Sequence, residues 1–185
     1  MQHMGTKLLQ TDRLILRPFT MADAQAMYDN WASDPAVTEH LSWPAHRSIN
    51  DSIVVLEEWT ADYEKSNFYQ WAIVCRESGN APIGSISVLS IDEQVLKAHI
   101  GYCIGKRWWH QGVTTEALRA VIRYLFDEVG LQRIESMHDP RNPNSGAVMQ
   151  KCGMQYEGTL RHFFKSNQGI CDACFYSILS TDEMP

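Results

Sequence analysis

Long apolar runs are missing from this sequence. The longest stretch drawn wholly from hydrophobic residues is Trp71–Cys75, against the roughly 20 residues that a bilayer-spanning helix needs. No N-terminal stretch joins a basic flank to an apolar segment and a small-residue cleavage site, so no secretory leader is expected and a cytoplasmic location is. Basic charge is also scarce: 16 Lys and Arg against 22 Asp and Glu leave a net charge of −6. The longest basic cluster is Lys106-Arg107, so the stripe that neutralises nucleic-acid phosphates is absent. Neither a nucleic acid nor a membrane is expected as a partner.

Cysteine shows no framework. Cys75, Cys103, Cys152, Cys171 and Cys174 are odd in number, and the CxxC at Cys171–Cys174 has no second ligand pair at zinc spacing. Nor do His40, His46, His138 and His162 stand at ligand spacing, so no metal is expected. Internal repeats, low-complexity tracts and linkers are likewise missing. At 44% hydrophobic and 21% charged residues the chain is globular rather than disordered. Its 185 residues make one domain, over about residues 8–180, preceded by a loose tail of residues 1–7.

What is present alternates strands with helices. Leu8–Arg17 reads as a first strand ended by Pro18. Thr20 with Asp23, and Ser48 with Asp51, form capping-box signals for two helices, the first broken at Asp34-Pro35. Strands are expected at Phe68–Arg76, Pro82–Ser90 and Lys97–Ile104. A helix starts at Thr114-Thr115-Glu116 and stops at Gly130. A strand over Arg133–Met137, a short helix from Ser145 to Cys152, and strands near Gln155–Phe164 and Ala173–Leu179 complete the order. This pattern argues a mixed α/β sheet with helices on both faces.

Two segments point to chemistry. Ile100–Ala117 carries a strand into a tight loop at Gly112 and on into an amphipathic helix. Free amides at a helix start suit a pyrophosphate, and glycine lets the backbone come close. No Gly-Lys-Ser/Thr and no GxGxxG accompanies it, which excludes the usual nucleotide loops. The second segment, Asp139–Met154, brings Asn142 to a strand end, with Ser145 three residues later capping the short helix that Gly153 closes.

With these two segments the chain resembles the GNAT superfamily of acetyl-CoA-dependent N-acetyltransferases. It is closest to the branch that acetylates ribosomal-protein N-termini. Thr11–Pro18, Ser33–Val37 with Trp43-Pro44, and Asp172 with Tyr176-Ser177 share that likeness, which spans about residues 8–180. The resemblance implies a mostly antiparallel sheet of about seven strands, splayed between the fourth and fifth, with about four helices. It implies acetyl-CoA as co-substrate and an amine acceptor, in a monomer or homodimer. The family's phosphate loop falls on Trp109, His110, Gln111, Gly112, Val113 and Thr114, with Thr115 following, and Thr114 replaces the usual Gly or Ala. The strand before the loop, with Tyr102, Cys103 and Ile104, holds the pantetheine arm, and one of its N–H groups stabilises the oxyanion. Asn142 and Ser145 match the family's Asn-x-x-Ser.

The catalytic pair is less complete. Where many members carry a Tyr acid, this chain has Met149. Ser145 is the nearest hydroxyl, either hydrogen-bonding the departing thiolate or serving only as an N-cap. On the strand, Lys97, His99, Gly101 and Cys103 share one face and Ala98, Ile100, Tyr102 and Ile104 the other. His99 stands where this branch often has Glu, and its near-neutral pKa suits proton removal. It reads as the base or as a structural histidine, with Glu93 and Tyr102 in reserve. An α-amine with a pKa near 7.7–8.0 is already partly neutral at pH 7, whereas lysine costs about 4.6 kcal/mol to deprotonate. A protein N-terminus, as in ribosomal-protein acetylation, is therefore the leading acceptor. A polyamine or aminoglycoside is the alternative, and a non-catalytic acetyl-CoA sensor is the rival class.

Overall fold

The computed structural model describes residues 1–185. Both capping boxes form. Thr20 N donates to Asp23 Oδ2 at 2.8 Å and Ser48 N to Asp51 Oδ2 at 3.2 Å, so orphan amides at each helix start find partners. The first box opens a 3-10 turn, Met21–Asp23, which continues as α1 (Ala24–Met27) and a π segment, Tyr28–Ala32. Asp34-Pro35, read from sequence as a break only, also starts a new one-turn helix, α2 (Pro35–Thr38). There Asp34 Oδ1 accepts from Ala36 N at 2.8 Å. The second box opens α3 (Ile49–Asp62).

The strands are β1 (Leu9–Gln10), β2 (Leu14–Arg17), β3 (Gln70–Cys75), β4 (Pro82–Asp92), β5 (Lys97–Ile104), β6 (Arg133–His138), β7 (Gln155–Ser166) and β8 (Gly169–Leu179). They form one sheet in the order β1-β2-β3-β4-β5-β6-β8-β7. Every neighbouring pair is antiparallel except β5 and β6, which run parallel. The expected first strand is in fact two, making eight rather than seven. Leu14 N donates to Thr11 Oγ1 at 2.9 Å, and this side-chain bond turns the chain back on itself.

Helices cover both faces. α4 (Val113–Tyr124), extended by a π segment over Leu125–Val129, and α5 (Pro143–Lys151) lie on one side. There Leu14, Leu16, Trp71, Ile73, Ile100 and Leu118 belong to the larger core. Phe19, Trp31, Leu56, Ala72 and Val74 form a second core with α1 and α3 on the other side. Residues of β3 therefore alternate between the two cores, which explains why the longest apolar run of the sequence is this strand. Each fully buried large side chain contributes about 1.5–3 kcal/mol. No helix is long and apolar enough to cross a membrane.

Residues 1–7 are not loose, contrary to the expectation from sequence. Trp71 Nε1 donates to Lys7 O at 2.7 Å, Tyr124 Oη to Gly5 O at 2.7 Å and Gln70 N to Thr6 Oγ1 at 2.9 Å. Buried aromatic polar tips need partners, and the N-terminal backbone supplies them.

Candidate active site

The sheet opens in its middle. β5 and β6 pair only at Lys97–Arg133, Ala98–Ile134 and His99–Glu135. One residue on, the buried Ser136 hydroxyl donates to Ile100 O at 2.8 Å, and beyond this bond the two strands part. From there to Ile104 the β6-facing edge of β5 has no strand beside it, while its other edge stays paired with β4. An unpaired strand edge is a ladder for a ligand that carries amides. The slot joins the two helical layers. Ala98, Ile100, Tyr102 and Ile104 belong to or pack on the α4–α5 core, and Cys103 packs on the opposite one.

The loop after β5 presents backbone amides. Trp109 Nε1 donates to Ile104 O at 2.9 Å and Gln111 Nε2 to Arg107 O at 2.7 Å, which folds the loop against the strand end. His110 (φ +59°) and Gly112 (φ +74°) both take left-handed backbone, a conformation that gathers successive N–H groups into an anion-binding concavity. The N–H groups of His110, Gln111 and Gly112 donate to nothing in the chain. Those of Val113, Thr114 and Thr115 open α4 and so lack a partner one turn earlier. The side chains of Val113 and Thr115 are buried, so these two residues meet a ligand through their backbone only. Thr114 is half-buried at the helix start.

Behind the loop lies a clamp between the β1–β2 turn and the start of α4. Glu116, in the first turn of α4, accepts from Thr11 Oγ1 at 2.5 Å, Arg13 N at 3.0 Å and Arg13 Nε at 2.7 Å. Arg13 Nη1 also donates to Gln111 O at 3.0 Å. Burial pushes the Glu116 pKa up, but these donors outweigh it and hold the carboxyl below its ordinary value. A groove of about 900 Å³ begins at Gly112 and runs along the outer face of α4, past Arg13, Arg119, Arg123 and Lys151. None of His99, Tyr102 and Ser145 lines this groove.

On the α5 side of the slot, Ser145 Oγ donates to Tyr102 Oη at 3.1 Å and Tyr102 Oη to Ser145 O at 3.0 Å. Burial pushes the Tyr102 phenol well above its ordinary pKa. Ser145 is not the N-cap. α5 begins at Pro143 with Asn142 in the capping position, because Pro fits a first helical turn. The Asn142 side chain makes no capping bond, which leaves its amide for a ligand. Gly146 lets α5 approach β6 closely, since a Cβ there would lie 2.6 Å from His138 Nε2. Met149 is fully buried in the core.

On the opposite side, His99 lies at the last paired position, 14% exposed, with Nδ1 3.9 Å from Glu135 Oε1. Desolvation lowers its pKa, the Glu135 carboxylate opposes that, and Lys97 adds to it. Lys97 Nζ and Arg133 Nε each lie 3.3 Å from Glu135, so this acid is shared among cations. The two reserves fall elsewhere. Glu93 is 69% exposed and pairs with His3 at 3.2 Å, while Tyr102 belongs to the α5 side. His99 thus stands at the paired end of β5, whereas Tyr102 and Ser145 stand together on the opened stretch that leads to the amide loop. Ser136 carries no sequence motif of its own, and the Thr11–Pro18 motif does not show that Thr11 and Arg13 bind Glu116.

A sheet opened between β5 and β6, beside a loop of unpartnered amides, is the candidate active site of this chain. The acetyltransferase (GNAT) domain family matches residues 13–155, and the chain belongs to that family as an acetyl-CoA-dependent N-acetyltransferase. It is 32% identical over 176 residues to a Bacillus subtilis (strain 168) protein named uncharacterized N-acetyltransferase YoaA, covering 95% of this chain and 98% of that one. It is 26% identical over 163 residues to the ribosomal protein uS5-alanine N-acetyltransferase of Escherichia coli (strain K12), covering 84% and 81%. The structure of RimL, a ribosomal L7/L12 alpha-N-protein acetyltransferase in complex with coenzyme A, matches 94% of this chain and 98% of its own. The TM-score is 0.82 at 19% identity.

Proposed function

We propose that this protein transfers the acetyl group of acetyl-CoA to the N-terminal α-amine of a protein, of the kind carried by ribosomal proteins, by direct attack. The observation that carries the reading is the slot itself. The amide loop and the Tyr102–Ser145 pair reach it from one face and His99 from the other, so donor and acceptor meet without exchanging places. The likeness to the uS5-alanine enzyme supports the acceptor class and, with it, a cytoplasmic setting.

The amides of His110 to Thr115 hold the pyrophosphate, aided by the dipole of α4. The β5 edge at Tyr102–Ile104 pairs with the amides of the pantetheine arm, and the free Asn142 amide adds a contact. One N–H of this edge faces the thioester oxygen and stabilises the charge that grows there. The acceptor amine attacks and gives up a proton to the His99 imidazole, directly or through a water. Ser145, next to Tyr102, hydrogen-bonds the departing sulfur, which leaves as a thiolate and takes its proton from solvent. A thiol pKa near 8.5 asks little of that step. Positioning therefore carries most of the rate.

The test is release of free CoA from acetyl-CoA in the presence of N-terminal peptides, polyamines and aminoglycosides. Turnover with peptides alone is expected. Turnover with small amines alone moves the acceptor class, and absence of CoA release with every acceptor leaves an acetyl-CoA-binding module.

A further inference from the structure

His138 faces Tyr102 across the opened part of the slot. The last pair between β5 and β6 is His99 with Glu135, and Tyr102 and His138 each stand three residues further along their strands. Alternate residues of a strand share a face. His138 therefore lies on the face of Ile134, a member of the α4–α5 core, and Tyr102 packs on that same core. The first turn of α5 bridges the two strands. Ser145 reaches β5 through its bonds with Tyr102. The next residue, Gly146, meets β6, where a Cβ would lie 2.6 Å from His138 Nε2. This glycine makes room for the imidazole right beside Ser145.

The ring is fixed at one nitrogen and free at the other. His138 Nδ1 lies 2.8 Å from Asp139 O, and a carbonyl only accepts, so Nδ1 carries a proton. Nε2 has no hydrogen-bond partner in the chain and is not buried. The titratable groups around the ring are Tyr102 across the slot, Tyr176 at 5.7 Å between centroids, Cys174 paired with it on β8, and Asp139, whose carboxylate is held by Arg141.

The hydroxyls of the slot are poor sources of a proton. Burial pushes the Tyr102 phenol well above its ordinary pKa, and its hydrogen is committed to Ser145 O. An aliphatic hydroxyl such as that of Ser145 is a weaker acid still, and Met149 has no proton to give. Imidazole exchanges its proton with water near neutral pH, and here the exchanging nitrogen stands next to both hydroxyls.

We propose that His138 is a catalytic residue on the donor side, the group through which the solvent proton reaches the CoA sulfur. In the imidazolium form Nε2–H donates to the sulfur. As the carbon–sulfur bond breaks, its electron pair passes to sulfur, and the Nε2 proton follows to form the S–H bond. The neutral imidazole left behind regains a proton from water. The inference rests on the direct-attack reading above, with the sulfur beside Ser145.

The test compares CoA with desulfo-CoA, which lacks only the thiol, on wild type, His138→Ala and His138→Gln. In calorimetry wild type should prefer CoA, and that preference should shrink about fivefold in His138→Ala, the loss of one hydrogen bond. A ring that only packs against α5 weakens both ligands alike. The single-turnover rate of acetyl transfer should fall about tenfold or more in His138→Gln, which keeps an N–H near the same place but carries no transferable proton. In wild type the His138 Nε2 resonance should move further with CoA than with desulfo-CoA. Equal weakening of both ligands, a full rate in His138→Gln, or equal resonance shifts with both ligands overturn the proposal and leave the transfer reading standing. Wild type that releases no CoA with any acceptor overturns the transfer reading and this inference together.

Discussion

Ser136 donates its buried hydroxyl to the carbonyl of Ile100 at 2.8 Å, and this side-chain bond stands where the next rung between β5 and β6 would be. It holds the strands together on one side of the slot and lets them part on the other. Ser136→Ala leaves the Ile100 carbonyl without its donor, which is expected to cost about 1–3 kcal/mol. Denaturant unfolding measures that loss. A change within about 0.3 kcal/mol means that water replaces the hydroxyl.

Gly112 holds φ +74°, and a Cβ added there would meet only Arg13 Nη2, at 3.5 Å. Room is therefore available, and what excludes other residues is backbone conformation. Gly112→Val is expected to weaken acetyl-CoA binding at least about tenfold while the chain stays folded. Gly112→Asn, which tolerates left-handed backbone, should lose less. Calorimetry on both variants checks the order, and equal affinity in all three removes the loop from the site.

Glu116 ties the β1–β2 turn to the start of α4, and its pKa is lowered in the folded chain. A depressed carboxylate contributes stability that is complete above the unfolded value near 4.3 and is lost as pH falls through the folded value. Glu116→Gln is expected to cost about 1 kcal/mol at pH 7, the partner Arg13 being half-exposed and screened. The gap between variant and wild type should narrow as pH falls below the unfolded value and close once it passes the lowered folded one. A gap that persists in acid shows that the clamp works without its charge.

His99 must be neutral to accept a proton, and desolvation lowers its pKa from 6.5. With a peptide acceptor, kcat/KM rises toward pH 8 as the amine deprotonates, and it should fall more steeply once His99 also protonates, at a pH below 6.5. His99→Ala is expected to slow turnover by about 10²–10⁴ and to lose that second acid limb, with acetyl-CoA binding retained. His99→Glu should recover part of the rate. A full rate in His99→Ala across pH 6–8 makes the residue structural.

Much of the fold is legible in local sequence, because its signals act over a few residues. Thr20 with Asp23 and Ser48 with Asp51 mark helix starts through bonds three residues long, and Gly112 and Gly130 mark left-handed turns. The boundaries of β5, and the even and odd faces that separate Tyr102 from His99, follow from a period of two. Long-range partners decided the rest. Residues 1–7 look free in sequence because nothing near them binds them, yet Trp71 and Tyr124 need acceptors that only folding brings to their polar tips. Ser145 looks like a cap because Ser is common there, whereas Tyr102, 43 residues away, claims its hydroxyl and Asn142 takes the cap. Likewise His138 and Tyr102 share no spacing or motif. They face each other because β5 and β6 pair in parallel, and side-chain chemistry assembled across such distances is written only in tertiary structure.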